Sequence, residues 1–307
     1  MRLDGIHHVT CITADAPRNV EYYTGVLGLR LVKKSVNQDD PTVYHLFYAD
    51  EDGTPGSDIT FFEYPNAREG RAGAGMIHTV VWRVGSDDAL EFWRERVGSV
   101  PFTDPDGLRH DLVVADVPDA PLIADHPEIP RELALQGFEG VCAYGEEPTA
   151  FLEALGFEDG LTRGAEAGSV PGGAGDARPR ASRPWVTRGA GRQGWIRYEP
   201  APAEPGVGGA GTVHHVAWAC GLDEQEAWRA RVLEAGGHPT PVIDRFWFRS
   251  IYFREPTGVL FEIATLGPGF AADEDPAHLG ETLILPPNFE HLRSQVEPLL
   301  TPLPKTR

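Results

Sequence analysis

The sequence predicts an α+β fold of four βαβββ modules paired into two domains, with the first and fourth modules forming a shared cleft. Three observations carry this. A strand-like opening recurs as IHHVTCIT from Ile6, MIHTVVWRV from Met76, FEGVCAYG from Phe138 and VHHVAWAC from Val213. Each opening leads through an acidic or Ser/Thr-bearing turn into a helical stretch that stops at glycine, at Gly28, Gly98, Gly156 and Gly236. Short β runs follow, among them VYHLFYAD, DITFFEY, RSIYFRE and VLFEIAT, separated by turn signals such as EDGTPGS and EPTG.

The helical stretches are APRNVEYYTGVLG, SDDALEFWRERVG, EPTAFLEALG and DEQEAWRARVLEAGG. Glycine at their ends suits the left-handed residue that closes a helix. A sheet of one such module has one face for its helix and one left over, so modules must pair to close a core or a cleft. The expected division is an N-terminal domain over residues 1–135, a C-terminal domain over 136–268, each of two modules, and a surface segment over 269–307. The Gly/Pro/Ala-rich stretch 164–184 reads as a mobile loop inside the third module, and 199–211 as the linker into the fourth.

Composition narrows the class. With 307 residues, 41% hydrophobic and 24% charged, the chain can bury a sizeable core. A formal charge of −19 repels nucleic acid and anionic lipid, so neither is expected as a partner. No apolar run reaches membrane-span length and no signal-peptide pattern opens the chain, which reads as cytoplasmic. Cys11, Cys142 and Cys220 have no paired spacing, so neither a disulfide framework nor a cysteine zinc site is expected. A homo-oligomer is compatible with all of this.

The repeated histidine pairs suggest chemistry. Strand alternation puts His7, Val9 and Cys11 on one face and His8, Thr10 and Ile12 on the other; in the fourth module it separates His214, Val216 and Trp218 from His215, Ala217 and Ala219. The bulkier apolar set suits the helix-packed face, so His8 and His215 are expected in the cleft, with His7 and His214 turned from it to pack and hydrogen-bond behind them. The middle modules offer Thr79 and Gly140 at these positions, neither a ligand, so the ends of the chain must come together. Glu262, in TGVLFEIAT, is a carboxylate within an apolar strand, and a buried carboxylate needs a cation or a base. Two histidines and one carboxylate form the facial triad that binds Fe(II) and leaves three coordination positions open. Glu63, in TFFEYP, is a candidate fourth ligand.

The modules with HHVT, HHVAW and GVLFE resemble the vicinal oxygen chelate superfamily over nearly the whole chain. Within it, YHLFYADEDGTPGSDITFF, residues 44–62, resembles the bacterial hydroquinone dioxygenases, a ring-cleaving group. The resemblance implies Fe(II), with Mn(II) as the alternative ion, held by His8, His215 and Glu262, and supporting groups at His7, Thr10, His214, Arg245 and Tyr252. It implies a small aromatic substrate of hydroquinone or catechol type, cleaved with O2. Two other readings compete. A glyoxalase-type isomerase or lyase would need a fourth ligand, which only Glu63 could restore. A metal-free binding protein would need an aromatic cleft, for which Trp218, Phe246, Trp247 and Phe248 are candidates.

Overall fold

The computed structural model describes residues 1–160 and 183–305. The predicted loop at 164–184 falls almost wholly outside them. The first module is β1 (Ile6–Thr13), α1 (Ala16–Val20), β2 (Arg30–Asn37), β3 (Asp40–Ala49) and β4 (Asp58–Glu63). The second is β5 (Met76–Val84), α2 (Asp87–Val97), β6 (Phe102–Thr103) and β7 (Arg109–Val114). The third is β8 (Phe138–Tyr144), α3 (Thr149–Ala154), β9 (Glu158–Asp159), β10 (Trp185–Arg188) and β11 (Gln193–Glu199). The fourth is β12 (Val213–Cys220), α4 (Gln225–Glu234), β13 (Ile243–Asp244), β14 (Arg249–Arg254) and β15 (Leu260–Thr265). The second module therefore departs from the expected pattern, with two strands rather than three after its helix. Among the described residues no helix is long and apolar enough to cross a membrane.

Local chemistry sets the helix ends. Asp15 accepts from the Arg18 amide at 3.0 Å to start α1, and Ser86 accepts from the Ala89 amide at 3.1 Å to start α2. Gly28, Gly98, Gly156 and Gly236 all have φ between +70° and +87°, the left-handed turn that ends each helical stretch. The first stretch is not a uniform α-helix, because Glu21–Val26 widens into a π-helical turn.

The modules pair across the chain. An eight-stranded sheet runs β13-β14-β15-β12-β1-β4-β3-β2, joining the first and fourth modules, and a seven-stranded sheet runs β6-β7-β5-β8-β11-β10-β9, joining the second and third. At the centre of each sheet the opening strands meet antiparallel, β1 against β12 and β5 against β8. One continuous apolar cluster fills the helix-packed faces of both sheets, with Val9, Phe61, Val216 and Phe261 from the first and Val80, Trp82, Val141 and Ile196 from the second. A smaller cluster lies on the opposite face of the first sheet: Phe47, Ala217, Trp247, Phe248, Ala264 and Phe270 are among its members. The C-terminal segment does more than run over the surface. Phe270 and Leu279 enter this smaller cluster. Buried Lys33 reaches the Phe270 carbonyl at 3.1 Å and Asp273 at 2.8 Å, which ties the segment to β2.

The register contains a detail that alternation could not supply. Between β1 and β12 the pairing steps from Ile6↔Trp218 to His8↔Ala217, and from Thr10↔His215 to Cys11↔Val213. His7 and His214 are therefore the extra residues of two β-bulges. The same slips occur between β5 and β8, around His78 and Glu139. All four opening strands are bulged at the equivalent residue. A bulge re-aims its side chain and breaks the simple two-residue period.

Candidate metal centre

His8 and His215 follow the two bulges of the first sheet, and Glu262 sits beside Ala217 on β15. The three meet. His8 Nε2 lies 3.3 Å from His215 Nε2 and 3.1 Å from Glu262 Oε2, and His215 Nε2 lies 2.9 Å from the same oxygen. All three residues are buried, at 2%, 5% and 0% exposure. Among the described residues they form the one cluster of His, Cys, Asp or Glu with metal-ligand spacing.

These residues fit a divalent ion. Glu262 Oε2 has no well-formed hydrogen bond although two imidazole nitrogens lie within 3.1 Å. The nitrogens thus face a common point rather than the oxygen itself. With the three ligand atoms 2.9 to 3.3 Å from one another, all can reach one ion at ordinary metal–ligand distances. Charge agrees. Burial alone would raise the Glu262 pKa, but His8 and His215 hold it well below the usual carboxylate range. Burial opposes charge on both histidines; Glu262 overturns this at His8, whose pKa rises, and not at His215, whose pKa falls. The cluster draws one positive charge inward, which a metal ion supplies when bound.

The bulges explain the paired histidines. His7 Nδ1 lies 2.9 Å from His8 Nδ1, and His214 Nδ1 lies 2.8 Å from His215 Nδ1. Alternation alone would turn His7 and His214 away from their neighbours, but a bulge residue is not bound by it, and both take the hydrogen-bonding place against His8 and His215 that a supporting role implies. His7 donates from Nε2 to the Thr265 carbonyl at 3.1 Å, so its Nδ1 is a lone pair. His8 must then donate from Nδ1, which leaves its Nε2 lone pair for the centre. His215 turns its Nε2 to the cluster; with that lone pair kept for an ion, its Nδ1 donates to His214 Nδ1 and the His214 proton sits on Nε2, at the cavity. Burial and the neighbouring His8 push the His7 pKa down to about 3, and burial with His215 pushes His214 to about 4, so both are neutral.

Above the cluster lies a cavity of about 370 Å³ lined by aromatic walls from Phe47, Phe62, Trp247 and Phe248. Arg245 and Tyr252 also line it. The guanidinium of Arg245 donates to the Tyr252 hydroxyl at 3.3 Å and forks onto Asp39 at 3.2 and 3.0 Å. Burial, and then the charge of Glu262, raises the Tyr252 pKa, so it remains a neutral phenol. Thr10 is fully buried and accepts from Thr60 Oγ1 at 2.9 Å; it supports β1 rather than lining the cavity.

Two candidates fall elsewhere. Glu63 lies outside the cluster, with Oε1 accepting from the Ala16 amide at 3.1 Å at the start of α1. Its strand position pairs with Thr13, beyond the residues that face the centre. Trp218 is buried in the main core against Phe157 and Phe261 and takes no part in the cavity. Sequence reasoning missed His45, which borders the cavity within VYHLFYAD. A histidine inside an otherwise apolar β run was the signal available.

Comparison with known proteins agrees with this architecture. The model of the Glyoxalase/Bleomycin resistance protein/Dioxygenase superfamily matches residues 5–99. "Putative ring-cleaving dioxygenase MhqA" of Bacillus subtilis (strain 168) is 36% identical over 99% of this chain and 100% of its own. "Chlorohydroquinone/hydroquinone 1,2-dioxygenase" of Sphingobium indicum is 32% identical over 96% of this chain and 95% of its own. The crystal structure of a "putative dioxygenase from Bacillus subtilis subsp. subtilis str. 168" superposes with a TM-score of 0.84 at 37% identity, over 99% of this chain and 98% of that one. Glyoxalase I from Zea mays, at 15% identity and a TM-score of 0.51 over 85% of this chain and 92% of that one, shares the fold alone. With relatives this similar along its whole length, the chain belongs to the glyoxalase/bleomycin resistance protein/dioxygenase superfamily.

Proposed function

We propose that the protein is an Fe(II)-dependent ring-cleaving dioxygenase that opens hydroquinone-type or catechol-type aromatic rings with O2. The observation that carries this is a buried face of two imidazoles and one carboxylate, which no fourth His, Cys, Asp or Glu joins among the described residues, beneath an aromatic-walled cavity. Three protein ligands would leave open positions on a bound ion, which a fourth would restrict. Relatives named as ring-cleaving and hydroquinone dioxygenases support the same reading. The glyoxalase-type alternative loses its support with Glu63 engaged at α1.

Iron, when bound, would supply the exchange of electrons between the ring and O2. The chain's own residues would do the rest. His8, His215 and Glu262 would hold the ion, with His7 and His214 fixing the imidazole orientations from behind and beside. Ser250 donates to Glu262 Oε1 and holds that carboxylate in place. Arg245, anchored by Asp39, would offer fixed positive charge to an ionised ring oxygen, and Tyr252 a hydrogen bond to oxygen-derived anions. The His214 Nε2–H would donate at the cavity rim. Phe47, Phe62, Trp247 and Phe248 would orient the flat ring and exclude water.

The test is to load the protein anaerobically with Fe(II) and follow O2 uptake on adding a panel of hydroquinones and catechols. Uptake that disappears in His8→Ala, His215→Ala and Glu262→Ala is the expected result. Iron-loaded protein that takes up no O2 with any ring would overturn the reading.

A further inference from the structure

His45 sits on β3 with its ring held between Phe47 and Phe62, at centroid separations of 3.9 and 4.4 Å. Its Nε2 is 2.8 Å from Thr60 Oγ1, and Thr60 donates its proton to Thr10 Oγ1 at 2.9 Å. Because that hydroxyl proton is already committed, His45 donates from Nε2 and keeps a lone pair on Nδ1. Among the described residues Nδ1 has no hydrogen-bond partner, and it is not one of the polar atoms sealed inside the protein. The ring borders the cavity, so this lone pair is offered to whatever occupies it. Burial, with His8, His215 and Arg245 close by, drives the His45 pKa well below 6.5 and keeps the ring a neutral acceptor.

The register shows why a histidine can stand there. Thr60 pairs with Thr10 as Glu262 pairs with Ala217, and His45 pairs with Phe62 as Ser250 pairs with Ala264. His45 is thus the first module's counterpart of Ser250, whose hydroxyl holds Glu262. In the first module threonine replaces the carboxylate, and the longer imidazole keeps the diagonal bond while reaching into the cavity. β3 lies two strands from β1, about 10 Å across the sheet. His8, His215 and His45 line the same cavity, so a ring held at the His8–His215–Glu262 face can turn its far edge to His45.

We propose that His45 determines specificity by accepting, at Nδ1, a hydrogen bond from the second hydroxyl of a ring whose first oxygen lies at the His8–His215–Glu262 face, so that the cavity selects para-dihydroxybenzenes over catechols. This rests on the ring-cleaving reading and narrows its substrate class. A catechol with both oxygens at the metal face presents a C–H edge to His45 and leaves a lone pair unpaired between two phenylalanines. A site built to bond a hydroxyl discriminates against ligands that lack it for that reason.

The test is anaerobic binding to the Fe(II)-loaded protein, read from tryptophan fluorescence, since Trp247 lines the cavity. Hydroquinone, phenol and catechol are titrated into the wild type, His45→Phe and His45→Asn. The wild type is expected to hold hydroquinone about tenfold tighter than phenol. His45→Phe brings that ratio near one while leaving phenol binding little changed, and His45→Asn, whose Oδ1 takes the place of Nδ1, retains part of it. Should the phenylalanine variant fail to fold, His45→Gln, which moves the acceptor away from the Nδ1 place, serves the same comparison. A ratio that stays at the wild-type value in either variant overturns the assignment. O2 uptake is measured separately. Selective binding without uptake removes the dioxygenase reading and leaves the recognition role, whereas uptake with an unchanged ratio removes the role of His45 alone.

Discussion

In the first sheet the residues that follow the two central bulges are His8 and His215; in the second sheet they are Thr79 and Gly140. The bulges themselves are the same, so the scaffold that aims a side chain at the cleft exists twice. What differs is how each cleft is filled. His78 turns its Nδ1 onto Thr79 Oγ1 at 2.9 Å, repeating the His7–His8 contact with a hydroxyl in place of the second imidazole. Gly140 leaves space that the Trp195 ring occupies, with ring atoms 2.2 to 2.4 Å from where a Cβ would stand. Glu139 takes hydrogen bonds from Trp195 Nε1 at 3.1 Å and from Arg83, which also reaches Asp119 at 2.6 Å. The position of Glu262 corresponds by register to Asp111 and Arg197 in the second sheet. A repeated backbone thus gives a metal-ready face only where three particular side chains coincide. Elsewhere the same concavity closes with an aromatic ring and ion pairs.

The largest effect that would break this contrast is at the ligand positions. Glu262→Gln should abolish iron retention in a dialysed sample, well beyond the roughly 10–100-fold that a supporting residue costs, while Thr79→Val should leave iron content and O2 uptake within twofold. Metal analysis of both variants, with O2 uptake for Thr79→Val, checks this, and retention of iron by the Glu262 variant would show that the two sheets do not differ as described.

A smaller effect sharpens the comparison from the other side. Gly140→Ala should destabilise the protein by about 1–3 kcal/mol, because Trp195 must leave its position, and pairing it with Trp195→Leu should recover part of the loss. Melting temperatures of the two variants test this. An alanine accepted without cost would mean that the second cleft is open rather than filled.

The smallest effect concerns the cores. At the residue facing each opening strand across its parallel neighbour the four modules carry Ile59, His110, Ile196 and Phe261, so only the second sheet buries a histidine there. His110 is satisfied by Trp82 Nε1 at 3.1 Å and Tyr23 at 3.0 Å, and burial lowers its pKa to about 3. Below pH 6.5 the unfolded chain takes up the proton that folded His110 refuses. Stability is therefore full above 6.5 and falls as the pH drops from there toward 3. The loss is at most about 1.4 kcal/mol per pH unit for this group. Urea unfolding of metal-free protein between pH 7 and 5 should show a steeper decline than His110→Phe, which is less stable throughout but has no such proton to bind. Equal slopes would rule the histidine out as the source.

Much of the site was legible along the chain because its signals are local or periodic. The paired histidines at 7–8 and 214–215 and the mid-strand Glu262 stand out against apolar strands, and the absence of ligands at 79 and 140 identified which modules must meet. The orientation of His7 and His214 was not legible. A bulge is a mismatch in count between two strands that lie two hundred residues apart, and neither strand alone contains it. Glu63 looked like a ligand by residue type and lies instead at the start of α1, because which carboxylate reaches the centre depends on register with a neighbour. His45 was passed over for the same reason, since its significance lies in the diagonal bond to Thr60.

By itself the sequence determined the four-module plan, the helix ends at glycine and the three residue types of the centre, because hydrophobic period, turn chemistry and ligand chemistry are properties of short stretches. Only the tertiary structure decided that the two members of each histidine pair hydrogen-bond to each other, that the second cleft is filled and that His45 borders the cavity. Those outcomes depend on strand register and on what packs from distant segments, and such contacts are fixed by the balance of burial over the whole molecule rather than by any segment of it.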